Sequence, residues 1–272
     1  MTSMKVQDAS RYRSAAVSPA RAGVLIRSMI VPALLLLGAT GVGSQPASGT
    51  RPDLDGFWDP DTCTPDGECP WFQELPTSEW GQASLESFIE FASPKYDCVP
   101  ATSPSIIFDP YFFGFEQFDD RVVIRYEKDD VVRTVWMDGR EHPEFGAEFS
   151  WQGHSIGWYE NGELVVDTTN FLPDPIGIED FLGLGSSAQK HVVERYGIDG
   201  DRLYADVSVE DPIFLSEPAS AHFEWIRAPE DYEAIPYDCA PDMARQPLQH
   251  ADPSRGTSLK DYGGRNDGGF GN

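Results

Sequence analysis

Two histidines and two aspartates occur within residues 137–171, and these side-chain types together support acid–base chemistry. His142 and His154 carry imidazole rings, which change charge near neutral pH. A neighbouring carboxylate determines which ring nitrogen holds the proton, and Asp138 and Asp167 are the candidate partners. The segment therefore predicts proton transfer by the two histidines, oriented by Asp138 or Asp167, as in lyases, isomerases and hydrolases.

The ligand for these groups is predicted to be small and largely apolar or aromatic. The chain contains 33 aromatic residues, and small-molecule pockets are lined mainly by such side chains. The candidate ligand contacts are Tyr126, Trp136, Arg140, Trp158 and Asn170. Composition alone does not separate an enzyme from a non-catalytic binding protein for a hydrophobic ligand. Titratable side chains that converge on one cavity would favour the enzyme.

Two other interpretations of the same segment compete with acid–base histidines. Residues 153–157 (GHSIG) match the nucleophile-elbow pattern of hydrolases, and Asp167 and His191 follow in the order of a catalytic triad. The elbow requires a strand that turns into a helix, whereas Ser155 precedes a hairpin signal. The His and Asp side chains are also of the kind that zinc accepts, but no H-x-x-x-H spacing occurs. We therefore predict no metal and no other cofactor.

Period-two alternation from residue 121 onward predicts the strands that hold these residues. RVVIRYE and VVRTVWM alternate on either side of a short turn. Asn161-Gly162, between SIGWYE and ELVVDTTNF, is the strongest hairpin signal in the chain. Asp199-Gly200-Asp201 predicts a third hairpin, and AHFEWIR with residues 232–237 predicts a weaker fourth.

Eight strands in four successive hairpins predict a mainly β fold. We expect an antiparallel meander that closes into a barrel of the lipocalin kind, because closure removes exposed sheet edges. A two-sheet β-sandwich is the alternative. One helix is predicted before the strands, capped by Thr77 or Ser78 and stopped by Pro94. The predicted domain spans residues 50–240, with a loop and helix segment over 50–118, strands over 121–238 and a disordered tail over 241–272.

The first 44 residues have the composition of a signal peptide. Basic residues precede a short apolar run, and Val42 and Ser44 suit the −3 and −1 positions of a cleavage site. The run is shorter than the roughly 20 residues that a membrane span needs. We therefore predict cleavage after Ser44, a periplasmic or secreted protein, and no membrane partner after cleavage.

The predicted mature chain is strongly acidic. The full sequence has a formal net charge of −25, and removing residues 1–44 takes away five basic residues and one acidic residue. Fifteen basic residues then face 44 acidic ones. Such a charge repels phosphates and anionic lipids, so a nucleic-acid partner is not expected.

Four cysteines in an exported chain predict two disulfides. Cys63 and Cys69 enclose a short loop and are predicted to pair with each other. Cys98 and Cys239 would then join the segment before the first predicted strand to the segment after the last. A zinc site is the competing interpretation, and it is disfavoured because no histidine lies near the close pair.

Three motifs between about residues 98 and 239 carry a family resemblance. WMDGREHPE, WQGHSIGWYENGELVVDTTNF and HVVERY together resemble an uncharacterised family of exported Gram-negative proteins, whose patterns read DGRxHP, GHSxGxWExDTLVVDTxxF and ERF. The resemblance groups the chain with exported proteins and implies no particular activity. Asn161, Gly162 and Glu163 stand where the family usually shows Gly-Asp-Thr.

Overall fold

Nine strands close into a barrel in the part of the chain that the computed structural model describes, residues 50–60, 72 and 75–245. In chain order the strands are β1 (Gly56–Asp59), β2 (Phe113–Gln117), β3 (Arg121–Tyr126), β4 (Val132–Trp136), β5 (His154–Glu160), β6 (Glu163–Thr169), β7 (Asp174–Glu179), β8 (Leu184–Ser186), β9 (His191–Asp199), β10 (Arg202–Glu210) and β11 (Ala219–Arg227). The helices are α1 (Glu79–Ser87), α2 (Ser105–Phe108) and α3 (Pro241–Ala244). The barrel order is β1-β11-β10-β9-β6-β5-β4-β3-β2, and β7 pairs with β8 in a separate sheet. Within the described residues, no helix has the length and apolar character of a membrane span.

The closed, mainly β barrel confirms the predicted fold class, with nine strands instead of eight. The three stronger hairpins are present as β3–β4, β5–β6 and β9–β10. Asn161 and Gly162 both have positive φ, 52° and 88°, as a type I′ turn requires. However, β4 and β5 are parallel neighbours. The long connection over residues 137–153 allows this pairing, since parallel strands cannot be joined by a tight turn. The barrel is therefore mixed and not a purely antiparallel meander.

Two barrel strands were not predicted, and one predicted strand is absent. The strands β1 and β2 lie in segments without clear alternation, yet they pair with each other, and β1 also pairs with β11. The segment 232–237 is not a strand. Instead the Tyr232 ring stacks on Phe112 at 4.2 Å, and the Ile235 amide donates to the Glu127 carboxylate at 2.7 Å. The weak fourth hairpin is therefore wrong, because β11 closes against β1.

Helix α1 begins where the sequence predicts and ends earlier. Ser78 is its N-cap, and the Ser78 hydroxyl accepts a hydrogen bond from the Gly81 amide at 3.1 Å. The helix ends at Ser87 because Phe88 is extended (φ −60°, ψ 131°). Pro94 does not stop α1 but opens a separate 3₁₀ turn, Pro94–Asp97.

An ion pair lies among apolar side chains in the barrel interior. Alternate residues of β6 and β9 face inward and are fully buried: Leu164, Val166, Thr168, Val192, Glu194 and Tyr196. Arg133 of β4 joins them with a side chain that is 1% exposed. Its Nη1 donates to both Glu194 carboxylate oxygens, at 2.9 and 3.2 Å. Removing either partner is expected to destabilise the fold, since an unpaired buried charge is costly.

The end of the described chain is fastened to the segment after α1. Cys98 and Cys239 form a disulfide, as predicted. The predicted Cys63–Cys69 pair lies outside the described residues, as does the predicted signal peptide. Residues 241–244 of the tail predicted to be disordered form helix α3, and Arg245 pairs with Asp97 at 2.7 Å. The rest of that predicted tail lies outside the described residues.

Removing the Cys98–Cys239 disulfide is expected to destabilise the protein considerably. The bond joins residues 141 apart in sequence, and the chain-entropy model gives about 4 to 5 kcal/mol for such a loop, often less in practice. Denaturant unfolding of the Cys98→Ser/Cys239→Ser double variant measures the loss. Peptide mapping without reductant should recover the Cys98–Cys239 linkage, and free thiols at these positions would contradict the pairing.

Asp109 is a buried acid with an unusual titration. Burial, followed by the neighbouring Asp180 and Asp129 carboxylates, raises the pKa of Asp109 from 3.8 to about 8, against the opposing effect of Lys128 and Lys95. Between about pH 4 and pH 8, Asp109 is therefore protonated in the folded state and ionised in the unfolded state. It follows that wild-type stability falls as the pH rises from about 4 to about 8.

Asp109→Asn is expected to remove this part of the pH dependence. The amide does not titrate, so the variant should be more stable than wild type at pH 8, and this gain should shrink as the pH falls toward 4. Thermal unfolding across pH 3 to 9 measures the difference. The exposed Asp119→Asn serves as the matched control. Parallel stability curves for wild type and Asp109→Asn would contradict the assignment.

Candidate functional site

The outward faces of three adjacent strands bring together three polar side chains. Ser155, Thr168 and Val192 point into the barrel and are buried. Because side chains alternate along a strand, their neighbours His154 on β5, Asp167 on β6 and His191 on β9 point outward. The register places β6 between β5 and β9, so Asp167 lies between the two histidines.

The long connection over residues 137–153 brings a fourth group, His142, to this face. Asn170 holds the connection in place, since its side-chain amide donates to the Ala147 carbonyl at 2.9 Å. Backbone hydrogen bonds from Ser150 to the Asn170 carbonyl and from Leu172 to the Ser150 carbonyl continue the attachment. Asn170 has a φ of 57°, a conformation that Asn tolerates better than most residues. The predicted ligand contact Asn170 is thus a support of the loop.

The four side chains form a continuous hydrogen-bonded chain. The Nδ1 atoms of His142 and His154 are 3.2 Å apart. His142 Nε2 lies 3.1 Å from Asp167 Oδ1, and His191 Nε2 lies 2.8 Å from the same oxygen. The order is therefore His154, His142, Asp167 and His191, with all four partly buried.

The carboxylate fixes the proton positions along this chain. Burial opposes ionisation of Asp167, but hydrogen bonds from His191 and His142 outweigh it and lower the Asp167 pKa. An ionised carboxylate only accepts, so His142 Nε2 must donate to it. In neutral His142 the Nδ1 atom is then an acceptor, and His154 Nδ1 must be the donor. The unprotonated nitrogen of His154 is therefore Nε2.

The titration of the two outer histidines differs. Burial, followed by the positive charge that His142 carries when it is protonated and by that of Arg140, lowers the pKa of His154 below 6.5. The hydrogen bond to Asp167 raises the pKa of His191 above 6.5, against the effect of burial. At neutral pH His154 is consequently a neutral ring with a free lone pair on Nε2, the form that a general base requires.

A cavity of about 230 Å³ lies beside His154, between β4 and the residues at and before the start of β5. These strands pair only through Val135–Ser155 and Trp136–Ile156. The cavity is lined by Val132, Arg133, Thr134, Trp136, Ser150, Gln152, Gly153, His154 and Ser155. Most of these residues are polar, in contrast to the apolar lining that the aromatic content suggested. Gly153 has a φ of 68°, and a Cβ there would lie 2.6 Å from the Thr169 carbonyl oxygen, so this wall needs glycine.

A buried network beneath the site fixes the strands that carry it. Arg133 Nη2 donates to the Thr168 hydroxyl at 3.2 Å and to the Ser155 hydroxyl at 3.5 Å. The two hydroxyls are 2.9 Å apart. Because Ser155 follows His154 and Thr168 follows Asp167, Arg133 and its partner Glu194 tie β4, β5, β6 and β9 together at the level of the histidines.

The other predicted site residues are distributed around this cluster. Asp138 does not contact the histidines, because its carboxylate bonds the Arg140 guanidinium, which lowers the Asp138 pKa to about 2. Arg140 in turn lies over the Trp136 ring at 3.8 Å. Tyr126 is inside the barrel, where its hydroxyl accepts from Arg133 at 3.1 Å. Trp158 is on the outer face of β5, two positions beyond Ile156.

The geometry excludes the nucleophile-elbow interpretation. Ser155 lies within strand β5 and points into the barrel, where it is 4% exposed. Asp167 and His191 do bond to each other, but on the outer face of the sheet. The three residues therefore do not form a triad.

Three important residues were not predicted as site residues. The sequence points to His191 only as a member of the triad, although His191 also stands at the start of an alternating strand. Arg133 and Glu194 carry no motif, and only the register shows that they meet. Among the described residues, no group of three or more His, Cys, Asp or Glu side chains is arranged to hold a metal ion.

Comparisons with known proteins add little to this geometry. No family model matches the chain, and no curated protein matches its sequence. Among solved structures, the chain is similar to lipid binding protein 8 of Caenorhabditis elegans (8% identity, 64% of this chain and 94% of that chain, TM-score 0.31). It is also similar to a mutant of the fluorescent protein UnaG (14% identity, 64% and 95%, TM-score 0.31) and to a luciferase domain from the dinoflagellate Lingulodinium polyedrum (10% identity, 70% and 49%, TM-score 0.29). Structural similarity this low supports no inference about ligand or activity.

Proposed function

We propose that the protein is an acid–base enzyme that acts on a small molecule bound in the cavity between β4 and β5. The observation that carries this proposal is the hydrogen-bonded chain from His154 through His142 to Asp167, with His154 on the cavity wall. A lone surface histidine has no such arrangement. A lyase, an isomerase or a hydrolase would each use such a hydrogen-bonded chain.

His154 is the proposed general base. Its Nε2 takes a proton from the substrate, and the resulting imidazolium holds its other proton on Nδ1, facing His142 Nδ1 at 3.2 Å. Transfer of that proton to His142 places the positive charge beside the Asp167 carboxylate. An ion pair of this kind stabilises the charged intermediate, and reversal of the transfers returns the proton to the product.

The cavity favours a substrate that is polar and not an anion. Hydroxyl, amide and guanidinium groups form much of the lining. The acidic chain as a whole repels anions approaching from solution. A small neutral polar molecule fits both features better than the apolar ligand expected from composition.

Export is also part of the proposal. The disulfide between Cys98 and Cys239 supports an oxidising compartment, the periplasm or the exterior. Expression in a Gram-negative host should give a product that begins after Ser44, as measured by intact mass. A full-length product in the cytoplasmic fraction would contradict this part.

A general-base probe tests the proposed chemistry without knowledge of the substrate. 5-Nitrobenzisoxazole loses its C3 proton to a base while the N–O bond breaks, which gives a coloured cyanophenolate. Turnover should exceed the buffer rate and rise with pH to a plateau, with a midpoint below 6.5, because His154 acts in its neutral form. A rate equal to buffer, with saturable binding of the probe, would overturn the enzyme and leave the binding-protein hypothesis.

A further inference from the structure

His191 belongs to the hydrogen-bonded chain, but the proposed chemistry gives it no part. Its Nε2 lies 2.8 Å from Asp167 Oδ1, and His142 Nε2 lies 3.1 Å from the same oxygen. One carboxylate oxygen therefore accepts from two histidines, one on β9 and one on the connection over residues 137–153. A change in the charge of His191 must act directly on the carboxylate that supports His142.

The groups that face His191 favour its charged form. Asp167 bonds it from β6, and Glu210 on β10 is its cross-strand partner on the same outer face. Because Nε2 donates to Asp167, a second proton is added at Nδ1. The hydrogen bond to Asp167 raises the pKa of His191 and burial lowers it, but the charges of Asp167 and Glu210 raise it further, so this pKa lies above 6.5.

A different set of charged groups faces His154. Arg140, Glu148 and, when protonated, His142 act on it from the connection over residues 137–153. Arg133 lines the same cavity from β4, and its charge is paired inside the barrel. Glu148 raises the pKa of His154, but burial and the two cations of the connection lower it below 6.5. As the pH falls, His191 therefore takes its proton before His154 does.

We propose that His191 is a positioning residue that controls, through Asp167 and His142, how readily His154 takes a proton. The inference rests on the proposed function, because it concerns the regulation of the same general base. A cationic His191 offsets part of the negative charge of Asp167, so a proton passed from His154 to His142 gains less from its ion pair with that carboxylate. His154 then stays a free base at lower pH, and the site works further into the acidic range.

Nitrogen-15 NMR titration of the imidazole rings measures the protonation of each histidine without any turnover. The sample is protein expressed from the full-length chain. His191→Gln keeps a donor near the Nε2 position but never carries a charge. We expect it to raise the midpoint of the His154 titration by roughly 0.3 to 1 pH unit, the effect of one charge that acts over several ångströms and is partly screened by solvent.

Two further variants separate the charge of His191 from its structural role. His191→Lys keeps a positive charge at this position, so the His154 midpoint should be no higher than in wild type. His222→Gln removes a histidine that bonds Asp206 on a different part of the outer face, and it should leave the His154 midpoint unchanged. An unchanged midpoint in His191→Gln, or an equal rise in His191→Gln and His191→Lys, would overturn the proposal.

The wild-type protein provides a second test that needs no substitution. Interacting titratable groups respond to each other's protonation. The ring signals of His142 and His154 should therefore shift once at the midpoint of His154 and again at the higher midpoint of His191. Signals that do not move while His191 titrates would overturn the proposal, even if none of the His191 variants folds.

This proposal and the proposed function fail in different experiments. If the His154 midpoint ignores His191 while 5-nitrobenzisoxazole turnover depends on His154, the control by His191 is wrong and the acid–base enzyme remains. If the titrations are linked but no turnover above the buffer rate occurs, the enzyme is wrong, and the linkage between the three histidines remains as a property of the protein.

Discussion

Replacing His154 with glutamine should lower turnover of 5-nitrobenzisoxazole by about 10²- to 10⁴-fold, the usual contribution of a positioned general base. Glutamine keeps a polar side chain of similar length but does not accept a proton at neutral pH. His154 is partly exposed at the start of β5, and its hydrogen bond is to the side chain of His142. The melting temperature is therefore expected to change by only a few degrees. Steady-state rates at pH 8 measure the effect.

His222 provides the matched control for this variant. It also bonds an aspartate, Asp206, at 2.7 Å, but it lies on β11 and is half exposed. His222→Gln should therefore keep the wild-type rate. Equal loss in both variants would point to a non-specific surface reaction, and unfolding of His154→Gln would assign His154 a structural role instead.

Replacing Glu194 with glutamine should destabilise the protein by about 3 to 5 kcal/mol, because Arg133 keeps its charge in the barrel interior without a counter-ion. The Glu194 carboxylate also accepts from the Tyr196 hydroxyl at 3.0 Å and from the Ser103 hydroxyl. The single change therefore weakens contacts to three residues, Arg133, Tyr196 and Ser103. Urea unfolding of the purified variant measures the loss.

An exposed ion pair is the control for the effect of burial on stability. Glu116 bonds Arg125 on the barrel surface, where both side chains are nearly half exposed. Glu116→Gln should cost only about 0 to 1 kcal/mol. If Glu194→Gln does not fold, the double variant Arg133→Met/Glu194→Leu should recover a folded barrel, since apolar replacement of a buried pair is often tolerated. A Glu194→Gln protein as stable as wild type would contradict the account of the interior.

Local patterns predicted the barrel well because its hairpins are local structures. Alternation in β3, β9 and β10 and the Asn161-Gly162 turn each depend on residues close in sequence. The parallel pairing of β4 with β5 depends on where a long polar connection returns to the sheet, and no short pattern encodes this. Strand β1 escapes prediction for a related reason, since it is short and its partners β2 and β11 are distant in sequence. Strand β2 pairs with the adjacent β3, but it has only five residues and no clear alternation.

The candidate site also combines residues that a local pattern predicts with residues that only the fold brings together. His142, His154 and Asp167 were predicted together because they share one segment, and the structure joins them. Asp138 was an equal candidate in the sequence, but the adjacent Arg140 bonds its carboxylate. Arg133 and Glu194 meet only across the barrel, so their pairing follows from strand register and not from any motif.

The proton positions of His142 and His154 test the central claim most directly. Multiple-bond nitrogen-15 correlation spectra at pH 8 distinguish the two neutral forms of each imidazole ring, and the spectrum of His154→Gln assigns the signals. We expect His142 to be protonated at Nε2, toward Asp167, and His154 to be protonated at Nδ1, which leaves its Nε2 as the base. A His154 ring protonated at Nε2 would contradict the account, because that nitrogen would then have no lone pair with which to take a proton from a substrate.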